Sequence, residues 1–540
     1  MVESAAEGNA ITRRAGLAAL GTLGSRLLGA VRDAVIAASF ALPATDAFFV
    51  AWTIPNTLRR VLGEGAVSAA FIPIFSELDE REGREQARLY LQRFCGALLL
   101  TLLLVSALGV LGAPLLAMLY GGGYRGDAGK FSTVVQLTAL VFPYILFAGV
   151  AALLSGALNA VGRFLLPAFS PALLNLALIA TPWLFVPVAL GLGLESVAGL
   201  GLAALVGGAL QVLVQVPSLR RHGLSPRPRL AVGDPQVRRS FLLIAPLVLG
   251  TGVYQLNILL SRLLASFLPS GAQSYLYYAQ RLVEIPQGMF AVAVASAALP
   301  SFARLHSQGD DAAAREAFGH SLRLSLFIAV PAAVALSVIA EPTVCMIFGR
   351  GAFGREQVVQ TARALAWLAP GVWAVAATHT TTRMFYAYND TRTPVLCAAA
   401  NLLTFVALSA ATMAPWGHVA IAAATSAAAL LQLLLLLIML RRRLGVLELR
   451  PLLVALVRAG VAATVMGVVI HEIAVLGRWE LGGGHLPNLG VFVLLLCFGL
   501  AVYLAASYLL GSGELTALTD ALRRRVAPGG AASDSAAPDP

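Results

Sequence analysis

Charge is what this chain has least of. Only 12% of its 540 residues are Asp, Glu, Lys or Arg, against about 25% in a soluble domain. Lysine is nearly missing: among 38 basic residues, Lys130 is the only one. It lies in "GDAGKF", with Phe131 after it and Tyr124 where a phosphate-binding loop needs its first glycine, which excludes a Walker A site and ATP hydrolysis by that route. Cysteine is scarce as well. Cys95, Cys345, Cys397 and Cys497 are scattered through apolar segments without a C-x-x-C, so no disulfide framework is expected and they read as packing residues. His471-Glu472 begins like H-E-x-x-H, but Val475 stands where the second histidine belongs, which removes the zinc signature. The net charge of +11 gathers in short loops between apolar runs, where membrane topology accounts for it, so nucleic acid is not an expected partner.

What is abundant is apolar surface, 58% of residues. Backbone polar groups cannot be left unpaired in hydrocarbon, so only helices or closed barrels cross a membrane. The apolar runs here are ~20 to 30 residues long, whereas barrel strands need ~10. The expected class is an all-α polytopic membrane protein. Fourteen spans are expected, at 14–40, 45–77, 90–120, 131–160, 164–190, 196–219, 240–268, 272–304, 320–347, 358–387, 394–414, 417–440, 451–474 and 487–510. The start, "MVESAAEGNAITRRAG", is partly acidic and the first run carries Arg26 and Arg32, so a retained first span is expected rather than a cleaved signal peptide.

Basic residues alternate by loop. Arg13 and Arg14, Arg81 to Arg88, Arg220 to Arg239, Arg441 to Arg450 and Arg523 to Arg525 fall on the side of the N-terminus, while the opposite loops hold little beyond Arg125, Lys130, Arg350, Arg355 and Arg478. The positive-inside rule then places both termini in the cytoplasm. The chain also repeats. Phe40, Pro73, Pro143 and Pro167 recur 227 residues later as Phe267, Pro300, Pro370 and Pro394. Six spans per unit return the chain to its starting side, so the two units are parallel repeats, which in transporters enclose a site near the midplane. The expected organisation is a short N-terminus (1–13), an N-lobe (14–222), a linker (223–239), a C-lobe (240–444), two further helices (445–512) and a tail (513–540) whose end is disordered by composition.

Against this background the buried arginines stand out. At ~1.5 Å per residue, Arg26, Arg32, Arg59, Arg60 and Arg281 all fall near the middle of a hydrocarbon core ~30 Å thick. Burying a charge there costs at least ~2.5–3.5 kcal/mol, so such residues face a protein interior or a wet cavity. Internal ion pairs are one explanation. Arg60 and Glu64 are spaced i, i+4, Arg281 and Glu284 i, i+3; Arg26 and Asp33 share a face but lie ~10.5 Å apart along the axis. Five arginines against three carboxylates leave a surplus even if every carboxylate is paired, with Asp46 near the outer rim. A surplus of guanidinium suits an anionic ligand, phosphate above all, because the planar fork donates two hydrogen bonds. His379 reads as a packed histidine, Tyr275, Tyr277 and Tyr278 as an interfacial belt, and "GGGY" and "GRGAF" as outer turns using glycine for positive φ.

"SRLLGAVRDAVIA" followed by "ATDAFFVAWTIPNTLRRVLGEGAVSAAFIPI" resembles the MurJ (MviN) flippases of the multidrug/oligosaccharidyl-lipid/polysaccharide superfamily, and "YYAQRLVEIPQG" resembles their second signature. The resemblance covers nearly all of the chain. It implies two six-helix lobes plus helices 13 and 14, and transport of lipid II, an undecaprenyl diphosphate carrying a disaccharide-pentapeptide, between leaflets by alternating access. It implies that Arg26, Arg32, Arg59, Arg60 and Arg281 line the cavity, with Asp33, Asp46, Asn56, Glu64 and Glu284 as supporting polar positions. It implies a lipid-tail groove on helices 13 and 14, membrane lipids and cell-wall synthesis proteins as partners, a bacterial cytoplasmic membrane location, no cofactor, and drive from membrane potential or a monovalent ion. No bond is made or broken, so no catalytic residue is expected. Two departures matter: Gln280 stands where many members have Asp, and the seventh span (240–268) holds no acidic residue, which puts a sodium site in doubt. Asn389, Asp390 and Asn401 remain as partial ion ligands or as ordinary polar ends. A flippase for another polyprenyl-diphosphate glycan shares the chemistry; a cation–drug antiporter would need an acidic cavity.

Overall fold

Apolar runs too long for one straight helix must bend or break, and prolines and glycines decide where. The computed structural model describes residues 24–25, 27–61, 67–231, 233–250, 252–288, 292–445 and 449–526. Arg26 and Glu64, and the tail beyond 526, lie outside the described residues. Among the described residues every regular element is helical. Eight helices are long and apolar enough to cross a membrane, or nine if Leu165–Ile179 and Thr181–Gly191, bent by 52°, form one span. Pro182 and Pro187 explain that bend, since neither ring can supply the N–H that continues an α-helical ladder.

Several expected spans are broken. The stretch 131–160 lies in one span-length helical run, Ala128–Ala160, interrupted at Phe142 and Pro143 between Ala128–Val141 and Tyr144–Ala160, with Pro143 capping the second. The stretch 358–387 breaks in the same way, into Arg355–Leu368 and Val372–Ala387 around a 3-10 turn containing Pro370. These are the prolines related by the 227-residue offset, and the offset also holds for helix boundaries. Arg84–Leu111, Ala113–Gly121 and Ala128–Val141 recur at both ends as Asp311–Val338, Ala340–Phe348 and Arg355–Leu368. The stretch 45–77 is helical over Leu42–Val61 and Val67–Arg81, and 62–66 lie outside the described residues. Arg59 and Arg60 lie in the last turn of Leu42–Val61.

Contacts divide the chain into two compact units, Met1–Tyr278 with Phe348–Gln357 and Ser409–Ile421, and Ala279–Ile347 with Val358–Leu408 and Ala422–Pro540. In the first, Val67–Arg81 packs through Phe71 and Phe75 against Tyr90 and Phe94 of Arg84–Leu111, with Phe71 and Tyr90 stacked at 5.3 Å. The loop at Phe348–Gln357 docks on the first helix: Ala352 N–H donates to the Ala38 carbonyl at 2.8 Å, and Gly351 has φ +59. A Cβ at Gly351 would sit 2.3 Å from the Ala38 oxygen. Gly351→Ala therefore combines a left-handed backbone with a clash against backbone, and a clearly lowered melting temperature is expected; an unchanged one would contradict the docking. In "GGGY" the need differs from the expected positive φ. Gly122 has φ −57, and a Cβ at Gly123 would lie 2.4 Å from the Ser266 backbone, so close approach is what requires glycine there.

In the second unit, Asp311–Val338 packs against Val372–Ala387 and Leu449–Ala474. Ser325 and Thr380 share a hydrogen bond at 2.9 Å, and the Tyr503 hydroxyl donates to the Phe327 carbonyl at 2.6 Å. Leu486–Leu509 divides cleanly: Leu495, Gly499, Tyr503 and Ser507 are buried, while Leu489, Val493, Leu496 and Leu500 are exposed. An exposed leucine face is costly in water but at home in lipid tails, and small residues on the inner face let helices approach. A further helix, Gly513–Val526, follows where only a tail was expected.

Candidate functional site

Within the first unit the helix over residues 27–39 carries Arg32 and Asp33, whose side chains are 12% and 3% exposed. Arg32 Nε and Nη2 donate to Asp33 Oδ1 at 2.9 and 2.7 Å, and Nη1 donates to Asn175 Oδ1 at 3.0 Å. Asn175, buried on Leu165–Ile179, donates in turn to the Ser25 carbonyl at 3.0 Å. The Tyr277 hydroxyl reaches the same Asp33 oxygen at 3.4 Å. The guanidinium is thus oriented by a carboxylate on its own helix and an amide from another. The sequence spacing sets Arg26 and Asp33 ~10.5 Å apart along the axis, and Arg26 lies outside the described residues; the contact seen here is between adjacent residues, which the flexible arginine stem allows although neighbours point ~100° apart on a helix.

Arg59 Nε donates to Asn56 Oδ1 at 3.2 Å, one turn back on the same helix, and Arg59 and Arg60 are both half-buried. In the second unit Arg281 and Glu284 form the i, i+3 ion pair that their spacing predicts, at 2.7 Å, with side chains 24% and 35% exposed.

Asp46 is more than a rim residue. It is fully buried and accepts from Lys130 Nζ at 2.9 Å, the Gly271 N–H at 2.7 Å, the Ser274 N–H at 2.9 Å and the Ser274 hydroxyl at 2.8 Å. Its carboxylate therefore caps the start of Ala272–Pro286, where orphan amides and the positive end of the helix dipole meet. The chain's only lysine is its counter-ion; Lys130 also donates to Ser270 at 3.0 Å and lies 4.2 Å from the Tyr124 ring centroid. Rarity is its signal in the sequence: an arginine-rich chain keeps one compact ammonium here.

Arg262, a further half-buried arginine, lies on Gly252–Ser266 with no acidic residue on its own span to mark it in the sequence. Its Nη1 donates to the Gln273 side-chain and backbone oxygens at 3.1 and 3.4 Å, and its guanidinium lies 5.6 Å from the Tyr277 ring centroid. The tyrosine cluster is not an interfacial belt. Tyr278 is fully buried against Phe348 and Phe353, and Tyr277 stacks on Phe49 at 3.7 Å. Phe49 on Leu42–Val61 contacts both Tyr277 and Tyr278, so the rings have aromatic partners inside the protein.

The ion-ligand candidates have other duties or other surroundings. Asp390 accepts from the Arg392 and Thr393 amides at 3.0 Å each and from the Thr393 hydroxyl at 2.8 Å, capping Arg392–Trp416, and it pairs with Arg443. Burial pushes its carboxyl up, but the Thr393 and Arg392 hydrogen bonds and the Arg443 charge together hold it below the usual carboxylate range. Asn389 occupies the left-handed turn before it, φ 56, and Asn401 is buried. Among the described residues no group of three His, Cys, Asp or Glu is placed to hold a metal.

Long apolar helices with lipid-facing leucines and internally oriented arginines define a polytopic integral membrane protein. The chain belongs to the MurJ family: the family model described as "Lipid II flippase MurJ" matches residues 36–488. A Vibrio cholerae protein named probable lipid II flippase MurJ is 33% identical over 501 residues, covering 91% of this chain and 94% of the relative. A Burkholderia cenocepacia lipid II flippase MurJ is 36% identical over 392 residues, covering 71% and 74%. The solved structure of lipid II flippase MurJ in an inward closed conformation superposes with a TM-score of 0.75 at 24% identity, covering 91% of this chain and 98% of that one. An inward-facing multidrug resistance MATE transporter of the MOP superfamily shares the fold more distantly, with a TM-score of 0.64 at 12% identity over 79% of this chain.

Proposed function

We propose that this chain is a lipid II flippase, moving the diphosphate-linked peptidoglycan precursor from the inner to the outer leaflet of a bacterial cytoplasmic membrane by alternating access. The observation that carries the reading is Arg32: a deeply placed guanidinium held in one orientation by Asp33 and Asn175, in a chain whose relatives bear that name. A planar fork held in position suits a phosphate oxygen pair better than a mobile point charge does. In this reading Arg26, Arg32, Arg59, Arg60 and Arg281 bind the diphosphate and first sugar. Asp33, Asn56, Glu64 and Glu284 keep them oriented or neutralised, and Asp46 supports the site by holding Lys130 and the start of Ala272–Pro286.

The proposed architecture is fourteen spans in two parallel six-helix lobes, 14–222 and 240–444. The matched helix boundaries at a 227-residue offset support it. The helices of 445–512 form the groove for the prenyl chain, and both termini are cytoplasmic. The cycle uses no cofactor and draws on membrane potential or a monovalent ion. No chemistry is done on the substrate, so the chain is a transporter rather than an enzyme.

Single cysteines and an impermeant thiol reagent test the topology. Positions beside Gly122, Arg350 and Arg478 are expected to label in intact cells, and positions beside Arg221 and Arg441 only after permeabilisation. Labelling beside Arg441 in intact cells would overturn the orientation. Rescue of cells depleted of their own lipid II flippase tests the function itself.

A further inference from the structure

The last described helix, Gly513–Val526, is separated from the apolar helix Leu486–Leu509 by the three residues Leu510, Gly511 and Ser512. The connection is built, not loose. Gly511 takes φ +65, its carbonyl accepts from Arg458 at 2.8 Å, the Ser512 hydroxyl donates to Glu514 at 2.9 Å, and Glu514 pairs with Arg323 at 3.4 Å. The helix start is therefore tied to Leu449–Ala474 and to Asp311–Val338, at the end of a membrane-crossing element.

Its sequence, "GELTALTDALRRRV", is amphipathic in an informative way. At ~100° per residue, Leu515, Leu518, Leu522 and Val526 fall by register within an arc of about 80°. Arg523 and Arg525 flank that arc on either side, and Thr516, Asp520 and Arg524 lie opposite. An apolar stripe bordered by arginines is the pattern of a helix seated in a lipid headgroup layer, with basic side chains reaching outward to phosphates. In the described part, Thr519 and Asp520 are exposed and Leu515 and Ala517 are only partly covered. A bilayer surface necessarily lies at the end of Leu486–Leu509, so the occupant of this stripe is already beside it.

We propose that Gly513–Val526 is an interfacial helix that binds the anionic phospholipid surface of the membrane the chain crosses. By register, the face of Leu515, Leu518, Leu522 and Val526 is the one that meets the headgroup boundary, with Arg523 and Arg525 at its two edges, beside the lipid phosphates. The proposal does not depend on which lipid-linked cargo is moved.

Hydrogen exchange of the full chain in nanodiscs tests it. In phosphatidylcholine mixed with phosphatidylglycerol, amides of 513–526 are expected to exchange on the order of 25-fold more slowly than in phosphatidylcholine alone, the two flanking arginines each contributing roughly a factor of five. High salt, and the triple variant R523Q/R524Q/R525Q, should abolish the difference while amides of Leu449–Ala474 stay unchanged. Equal exchange in both lipids, whether fast or slow, would overturn the proposal. So would a lipid difference that survives the triple substitution. Protection requiring an added protein in place of anionic lipid would also reject it.

Discussion

Replacing Arg32 by alanine is expected to abolish rescue of flippase-depleted cells at normal membrane levels of the protein. The guanidinium makes hydrogen bonds to Asp33 and to Asn175 from different nitrogens, and a lysine ammonium, being a single point, cannot reproduce that fork. Arg32→Lys should therefore be severely impaired although it keeps the charge. A purely structural ion pair makes a different forecast. Removing one partner of a buried pair costs about 3–5 kcal/mol because the other charge is left uncompensated, whereas replacing both is often neutral. The double variant Arg32→Gln with Asp33→Asn should then fold and function. If Arg32 holds the diphosphate, the double variant reaches the membrane in normal amount and does not rescue. Full rescue by it would remove Arg32 from substrate binding.

Asp46→Asn is expected to be the most destabilising single conservative change in the first unit. The carboxylate accepts from Lys130, Gly271 and Ser274 in a site closed to solvent. An amide keeps one acceptor oxygen, turns two donors toward other donors, and leaves the Lys130 ammonium without its counter-charge, a loss of about 3–5 kcal/mol. Adding Lys130→Met to Asp46→Asn should recover part of this loss by removing the stranded ammonium. The Gly271 and Ser274 amides would still lack their full acceptor, so recovery should be incomplete. Thermal unfolding in detergent reads both variants. An Asp46→Asn protein as stable as the parent would mean the network contributes nothing to stability.

These two sites mark where sequence reasoning stops. Membrane character, helical class and the 227-residue offset are legible because each rests on many residues acting through one period or one composition. The Arg281–Glu284 pair is legible because it lies within one turn of one helix, and the structure contains it. Asn175 and Lys130 are not legible: their partners are 143 and 84 residues away, and nothing local links them. The Arg32–Asp33 contact is not legible for another reason. Spacing along a helix says which residues share a face, but a long arginine side chain can fold back to its immediate neighbour. The breaks at Pro143 and Pro370 were visible as prolines. What could not be read is that each ends one helix and begins another. That outcome depends on neighbouring helices satisfying the freed backbone groups.

The central claim, that the chain carries lipid II across the membrane, is tested most directly by following the lipid itself. In cells depleted of their own flippase and expressing this chain, lipid II reachable by an impermeant probe from outside should return to its normal share, and should fall again with Arg32→Ala. Accumulation of lipid II on the inner face despite normal membrane levels of this chain would contradict the account.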